Sequence, residues 1–438
     1  MSIPIPTPRS SSPHDAVRAS AVDLSSSASP KSVINRNFLA ALGNNQAPKT
    51  LQPFRTEQIR ILLLENVSQG AATQLRQAGF HVDHFAKAWS EDELIAGIGN
   101  YHAIGIRSKT KLTEKVIKAA SKLIAIGCFC IGTNQVNLTA AANAGICVFN
   151  SPYANSRSVA ELVISEIIAL SRQYVDRSSE IKNGTWNKVS SGCWEVRGKT
   201  LGIIGYGHIG SQLSVLAEAM GMSVLYYDVI PIMPLGQARQ VETLEHLLSS
   251  SDFVTLHVPE LPETKNMIGA KELSQMRKGA YLINNARGTV VDLEALADAL
   301  ISKHLAGAAV DVYPAEPKGN GANLFTASEL GPFADKLRQC PNLILTPHIG
   351  GSTEEAQRMI GIEVGTALFK FLSSGSTFGA VQFPEVDLRL ISQKEDSIRL
   401  CHVHQNVPGV LRGVNEILEQ YNVQRQISDS RWVSFIYE

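Results

Sequence analysis

A disulfide framework, an excess of charge of either sign and an apolar run of membrane length are all missing from this chain of 438 residues. Its six cysteines (Cys128, Cys130, Cys147, Cys193, Cys340 and Cys401) are too sparse for a secreted scaffold stapled by disulfides, so a reducing compartment is implied. Cys128 and Cys130 form a C-x-C pair, but no second pair or neighbouring histidine completes a zinc set, and no metal is expected. Forty Lys and Arg balance forty Asp and Glu, with no long basic block, so charge gives no case for nucleic acid or an anionic membrane as partner. A bilayer span needs roughly 18 consecutive apolar residues. The longest candidate, Leu162 to Leu170, is interrupted by Ser165 and Glu166 and is expected to be a packed helix. Residues 1–54 lack both apolar periodicity and the apolar core of a secretory signal, and Asp15 and Asp23 count against a transit peptide. They are expected to form a disordered tail rich in Ser, Pro and Ala, and the chain is expected in the cytoplasm.

What is present is an ordinary globular composition, 44% apolar and 18% charged, in a chain long enough for two or three domains. From Gln58 onward, short apolar runs alternate with helix-length spacers. Ile59–Asn66, Phe80–Phe85, Ala103–Ser108, Leu123–Cys128 and Ile146–Asn150 are the expected strands, which implies a parallel sheet. A long helix follows over Val159–Arg172. A second series begins at Thr200 with six runs, "TLGIIGY", "SVLYYD", "FVTLHVP", "AYLINNA", "GAAVDVY" and "LILTPH". Six strands with helices between them match a doubly wound dinucleotide-binding domain. A polar stretch from Lys318 to Gln339 is expected to be a surface insertion, Thr353–Leu372 a helix, and Phe383–Lys394 a linker.

The loop after the first strand of this series carries Gly205-x-Gly207-x-x-Gly210. The first glycine suits a tight turn, the second close approach to a diphosphate, and the third close packing of helix on sheet. The helix start then offers free N–H groups and partial positive charge to the phosphates. Asp228 ends the next strand, 18 residues beyond Gly210. There a carboxylate accepts hydrogen bonds from ribose hydroxyls and repels a 2′-phosphate, so NAD is expected as cofactor in preference to NADP.

Oxidising a hydroxy acid requires a cation for the carboxylate, a base for the hydroxyl proton and a group that tunes the base. Three later strand ends offer these in turn. "INNARGT" presents Arg287, a planar fork for a carboxylate. "LTPHIGGST" presents His348, whose ordinary pKa lies near working pH. "AAVDVYPAEP" presents Asp311 and Glu316, and Glu316 would hold the imidazole and raise its pKa.

The contexts "NARGT", "DVYPAEP" and "TPHIGGST" resemble the signature triad of the D-2-hydroxyacid dehydrogenases, with Arg287, Glu316 and His348 as the catalytic set. The resemblance covers about residues 55–430, and "IGIRSKTKLT", "GCFCIGTNQV", "NSRSVAELVISEI", "TWNKV" and "GKTLGIIGYGHIGSQLS" are similar to the branch that acts on 3-phosphoglycerate. It implies an α/β fold of two doubly wound parallel-sheet domains. The substrate domain would be discontinuous, 55–153 with 349–385, and the NAD-binding domain would span 154–348. Cofactor contacts are implied at Gly205, Gly207, His208, Ile209, Gly210, Asp228, Asn285, Ala286, Arg287, Asp311, His348, Gly350 and Gly351. Substrate contacts are implied at Arg107, Ser108, Asn155 and Arg287, with Lys109 a further candidate for a phosphate dianion. The implied activity is NAD-dependent oxidation of 3-phosphoglycerate in serine synthesis, with reduction of 2-oxoglutarate as a side reaction. Trp186 and Lys188 fall where relatives contact a neighbouring subunit, and a homodimer or homotetramer is implied. Two other readings stay open: a sister enzyme acting on glycerate, lactate or 2-oxoglutarate, and an NAD-sensing scaffold built on the same fold.

Residues 395–438 resemble the first strand and helix of an ACT module, an α+β unit that binds amino acids, and His404 and Asn406 match its serine-contacting positions. Gln424 stands where asparagine is usual, and the tail "RWVSFIYE" departs from the pattern. The module is therefore expected to be truncated, and serine inhibition to be weak or absent.

Overall fold

The computed structural model describes residues 56–317 and 320–388, with short pieces between 408 and 416. The expected N-terminal tail, His404, Asn406, Gln424 and almost all of the expected ACT-like module lie outside the described residues.

The first sheet holds β1 (Arg60–Leu63), β2 (His81–His84), β3 (Ala103–Ile106), β4 (Ala125–Cys128) and β5 (Cys147–Phe149), in the order β2-β1-β3-β4-β5. All its pairings are parallel, which requires a crossover after each strand. Helices α1 (Gln69–Gln77), α2 (Glu91–Gly97), α3 (Glu114–Ala119) and α4 (Leu138–Asn143) lie in those crossovers. Side chains cap three of them: Ser90 in a reciprocal capping box with Glu93, Thr113 and Asn137. β3 and β4 are buried at every position, so they appear in the sequence as unbroken apolar runs and not as alternations.

After α5 (Ser156–Arg172) and α6 (Tyr174–Lys182) comes the second sheet: β6 (Thr200–Ile204), β7 (Ser223–Tyr227), β8 (Arg239–Gln240), β9 (Phe253–Leu256), β10 (Tyr281–Asn284), β11 (Gly307–Val310) and β12 (Leu343–Leu345). Its order is β12-β11-β10-β9-β6-β7-β8, again wholly parallel. Strands β6 to β11 thus reproduce the dinucleotide-binding order, and β12 extends it. Helices α7 (His208–Ala219), α8 (Leu244–Ser250), α9 (Ala270–Gln275) and α10 (Leu293–Ile301) alternate with the strands, and α5 packs across α7, β10 and β11.

Two expectations need correction. Six strands were expected in this sheet and seven form, because β8 is an exposed two-residue edge strand that leaves no apolar run. The stretch Lys318–Gln339 is not a plain surface insertion. It contains α11 (Ala327–Leu330) and α12 (Phe333–Leu337), and Leu330, Phe333, Ala334 and Leu337 join the core beside α10.

The last described helix, α13 (Glu354–Ser374), returns to the first sheet and packs on α1 and β4. Gly127 makes room for it: a Cβ there would lie 2.8 Å from Val364 Cγ1 and 2.9 Å from Leu368 Cδ1. Beyond α13 the chain meets the edge of β5, where Gln382 Oε1 accepts from Val148 N and Gln382 Nε2 donates to the Ile146 carbonyl.

Strand order reverses once in each sheet, between β1 and β3 and between β6 and β9. Open α/β sheets bind ligands beyond the carboxyl ends of the strands at such a reversal. Two crevices are therefore defined by topology alone.

Candidate active site

At the reversal in the second sheet, β6 is followed by Gly205, at φ +90° and packed against the chain leaving β9. A Cβ on Gly205 would lie 2.6 Å from the His257 carbonyl oxygen, and one on Gly210 would lie 2.4 Å from the Gly205 carbonyl oxygen. Both positions need glycine for conformation or space. Gly207, by contrast, has open space where a Cβ would be and caps the start of α7, a helix of 12 residues. A polyanion can approach that helix start closely enough to meet main-chain N–H groups. Asp228 follows β7, and its Oδ2 accepts from Tyr206 N at 2.8 Å, which ties the carboxylate to the same loop. Ile209 is half-buried against the core, while His208 is exposed and stacks on Tyr153 with ring centroids 3.7 Å apart. The loop, helix start and carboxylate together fit a dinucleotide.

Arg287, Glu316 and His348 come together at the ends of β10, β11 and β12. Both carboxylate oxygens of Glu316 lie 2.9 Å from His348 Nδ1. The hydrogen bond to Glu316 raises the His348 pKa above its ordinary 6.5, against the opposing effect of burial. Burial by itself would push Glu316 up, but the bond from His348, the imidazolium charge and nearby Arg287 hold it below 4.5. The Glu316 bond occupies Nδ1, and the imidazole is still partly open to solvent (side chain 48% exposed). His348 itself sits at φ +54°, an uncommon backbone state for a residue with a Cβ.

Close packing next to Arg287 explains the glycine after it. A Cβ on Gly288 would lie 1.9 Å from the Tyr313 carbonyl carbon, so only glycine lets this turn press against the chain that leads to Glu316. Arg287 Nη1 donates to its neighbour's carbonyl, Ala286 O, at 2.6 Å. No ion pair is formed by this guanidinium among the described residues.

Asp311, one of the implied cofactor contacts, also has a structural partner set. Its carboxylate is buried and engaged by the chain around His348: Oδ1 accepts from Thr346 Oγ1 and Ile349 N, and Oδ2 from Gly350 N at 2.8 Å. Here it acts as a clamp that shapes the His348 loop. Gly350 and Gly351 give that loop room, since a Cβ on Gly351 would meet Asn155 Nδ2 at 2.6 Å. Asn155 is buried at the start of α5 with its Oδ1 unpaired. Ala286 is buried, and the Asn285 side chain turns toward α5 to donate to Glu166 Oε2.

Arg107, Ser108 and Lys109 lie at the other reversal, in the loop after β3. Glu65 organises this loop from the end of β1. Its carboxylate accepts from the main-chain N–H groups of Arg107 (3.2 Å), Lys109 (2.9 Å) and Thr110 (2.7 Å). Ser108 and Lys109 are exposed and Arg107 half-buried, so the clamp fixes the backbone and leaves the side chains free to meet a ligand. Sequence reasoning missed Glu65, whose only signal is an acid closing an apolar strand. It also missed Tyr153, which gives no signal before the stack on His208 is seen. Trp186 is 83% exposed and lines a recess of about 230 Å³ with Lys188, Arg177, Ile181 and Asn187. Among the described residues no group of His, Cys, Asp and Glu could hold a metal, and no helix is long and apolar enough to cross a membrane.

Comparison with known proteins agrees with this geometry. The family described as "D-isomer specific 2-hydroxyacid dehydrogenase, NAD binding domain" matches residues 164–350. A protein of Saccharomyces cerevisiae named D-3-phosphoglycerate dehydrogenase 1 is 59% identical over 87% of this chain and 82% of its own length. D-3-phosphoglycerate dehydrogenase of Escherichia coli is 54% identical over 84% of this chain and 87% of its own. A crystal structure of D-lactate dehydrogenase with NAD+ from Lactobacillus jensenii superposes with a TM-score of 0.63 at 26% identity, covering 76% of this chain and all of that one. The chain belongs to the D-isomer specific 2-hydroxyacid dehydrogenase family, in its D-3-phosphoglycerate dehydrogenase branch.

Proposed function

We propose that the protein oxidises 3-phospho-D-glycerate to 3-phosphohydroxypyruvate with NAD, the entry step of phosphorylated serine synthesis. The observation that carries this reading is the 2.9 Å Glu316–His348 pair set beside Arg287 at the end of a dinucleotide-binding sheet. Bound NAD supplies the hydride acceptor. Arg287 grips the C1 carboxylate through its planar fork and polarises the C2 oxygen. His348 Nε2 takes the C2 hydroxyl proton, and Glu316 stabilises the imidazolium that results. Asn155 offers its unpaired Oδ1 to a substrate hydroxyl. Arg107, Ser108 and Lys109, held in place by Glu65, meet the phosphate. Gly205, Gly207, His208, Ile209 and Gly210 line the diphosphate, Asp228 takes the ribose, and the Asn285–Arg287 and His348–Gly351 segments close the nicotinamide end. Reduction of 2-oxoglutarate to 2-hydroxyglutarate fits the same set as a side reaction. Trp186 and Lys188 are exposed enough to reach a second copy of the chain, in a dimer or tetramer.

The test is NADH formation with 3-phosphoglycerate, run beside glycerate, lactate and 2-hydroxyglutarate, and NADH consumption with phosphohydroxypyruvate and 2-oxoglutarate. Preference for the phosphorylated pair, lost in His348→Ala, is expected. Equal turnover of an unphosphorylated acid would overturn the substrate and keep the reaction class.

A further inference from the structure

Glu166 is an acid on the buried face of α5, in line with Val163, Ile167 and Leu170. Its Oε2 accepts a hydrogen bond from Asn285 Nδ2 at 2.9 Å. Its Oε1 has no partner, and neither has Asn285 Oδ1, although both atoms are shielded from solvent. With an ionised carboxylate these are two buried acceptors without a proton, and each such orphan costs about 1–3 kcal/mol. A protonated carboxyl carries one O–H donor. Carboxyl and primary amide are planar forks of similar width. In an edge-to-edge pair the bond from Asn285 Nδ2 forms one side and the two unpartnered oxygens the other, where one proton on Glu166 would satisfy both.

We propose that Glu166 is a protonated positioning residue, joined edge to edge with the Asn285 amide, and that this pair holds the Asn285–Arg287 segment so that Arg287 is presented to the hydroxy acid. The reaction it serves is the one proposed above, and the inference rests on that reading for its functional half.

The surroundings favour the neutral acid. Burial pushes Glu166 up to about 8, with the Asn285 bond opposing the rise and the charge of Asp311 adding to it. The groups that face it are the Asn285 amide from the end of β10, Asp311 from the end of β11, and Tyr313 beyond Asp311. Among the described residues no cation acts on it. The segment it anchors is short, and its other side-chain hydrogen bonds among the described residues are local: Ala286 N donates to Asn284 Oδ1, Asn284 Nδ2 donates to the Arg287 carbonyl, and Arg287 Nη1 donates to the Ala286 carbonyl. A carboxyl whose pKa is raised on folding contributes stability that is complete below 4.5 and is lost as the pH rises toward about 8.

Glu166→Gln and Glu166→Leu test this, the first supplying an N–H where the O–H stood, the second removing the pair at similar size. Difference infrared spectroscopy at pH 7 should show a protonated-carboxyl band in the unaltered protein that is absent in Glu166→Gln. Glu166→Gln should also gain stability relative to the parent as the pH rises from 4.5 toward 8. In turnover, Glu166→Gln should keep most of kcat/KM at pH 7. Glu166→Leu should lose about tenfold, equivalent to about 1.4 kcal/mol, chiefly through KM for the hydroxy acid. No carboxyl band in the parent, or a Glu166→Gln protein as impaired as Glu166→Leu, would overturn the pair. The infrared and stability arms need no turnover. They decide the pair even if the parent oxidises no hydroxy acid, a result that would count against the proposed function instead.

Discussion

At the scale of single residues, the proposed chemistry turns on one imidazole, His348, whose proton affinity is raised by one carboxylate, Glu316. Because the bond to Glu316 raises the His348 pKa, the neutral base needed for oxidation accumulates only as the pH climbs above 6.5, while the acid needed for reduction persists to higher pH. Glu316→Gln is expected to bring His348 back toward 6.5, moving the acid limb of oxidation to lower pH and cutting off reduction at lower pH. pH profiles of kcat/KM in both directions check this, and coincident limbs in variant and parent would remove Glu316 from the tuning role. Stability follows the same pair. The Glu316 contribution is present above 4.5 and lost as the pH falls through its lowered pKa. That of His348 is complete below 6.5 and lost as the pH rises through its raised value, so the pair helps the fold most between these limits. Replacing His348 by alanine is expected to reduce kcat by about 10²–10⁴-fold, the usual worth of a general base. These residues were legible because each stands in a distinctive string at the end of a strand. Glu65 and Glu166 were not, since a lone acid at the edge of an apolar run, or inside one, gives no sign of which distant N–H groups it will meet.

At the scale of elements, the site depends on turns that must come unusually close to their neighbours. The turn after β10 lies against the chain after β11, and the 1.9 Å a Cβ on Gly288 would leave to the Tyr313 backbone cannot be relieved by rotating a side chain. Gly288→Ala is therefore expected to cost at least the 1–3 kcal/mol typical of overpacking, roughly, and to displace Arg287 from the Glu316–His348 pair. Chemical denaturation measures the first effect and KM for the hydroxy acid the second; a variant unchanged in both would show that the turn can move. The loop after β3 is the counterpart in the first sheet. Glu65→Ala leaves three N–H groups without their carboxylate, and it is expected to raise KM for the phosphorylated acid several-fold without weakening NAD. Equal losses for the phosphorylated and unphosphorylated acids would mean that the loop carries the fold and not the phosphate. The long helices α5 and α13 and the buried strands were legible from period and length, whereas α6 buries no residue and leaves no apolar stripe. α11 and α12 were hidden because their apolar residues are few and set among polar ones, so only packing, α12 on α10 and α11 on α12, reveals them.

At the scale of the whole molecule, one rule places both halves of the site: each parallel sheet opens a crevice where its strand order reverses, and the two crevices hold the two sets of residues expected to bind ligands. The buried strands and their parallel direction follow from alternation along the chain, the exposed edge strand β8 does not, and the reversals come from long-range pairing such as β6 with β9, which no local pattern encodes. If the second crevice binds NAD in the folded state alone, the ligand must stabilise the protein by mass action, by about 2.7 kcal/mol at a hundred times Kd. His348→Ala should keep this stabilisation, because the imidazole lies at the reacting end and does not hold the diphosphate. Gly205→Ala should lose it, because its Cβ would press to 2.6 Å from the His257 carbonyl and force the phosphate loop away from β9. Asp228→Ala should weaken NAD and narrow its advantage over NADP, since it removes both the acceptor for the ribose and the charge that repels a 2′-phosphate. Thermal unfolding with each cofactor, at matched multiples of Kd for the parent, separates the three variants. An undiminished NAD shift in Gly205→Ala would place the diphosphate elsewhere. An unchanged preference in Asp228→Ala would mean that the loop it braces through Tyr206 N, and not its charge, selects the cofactor.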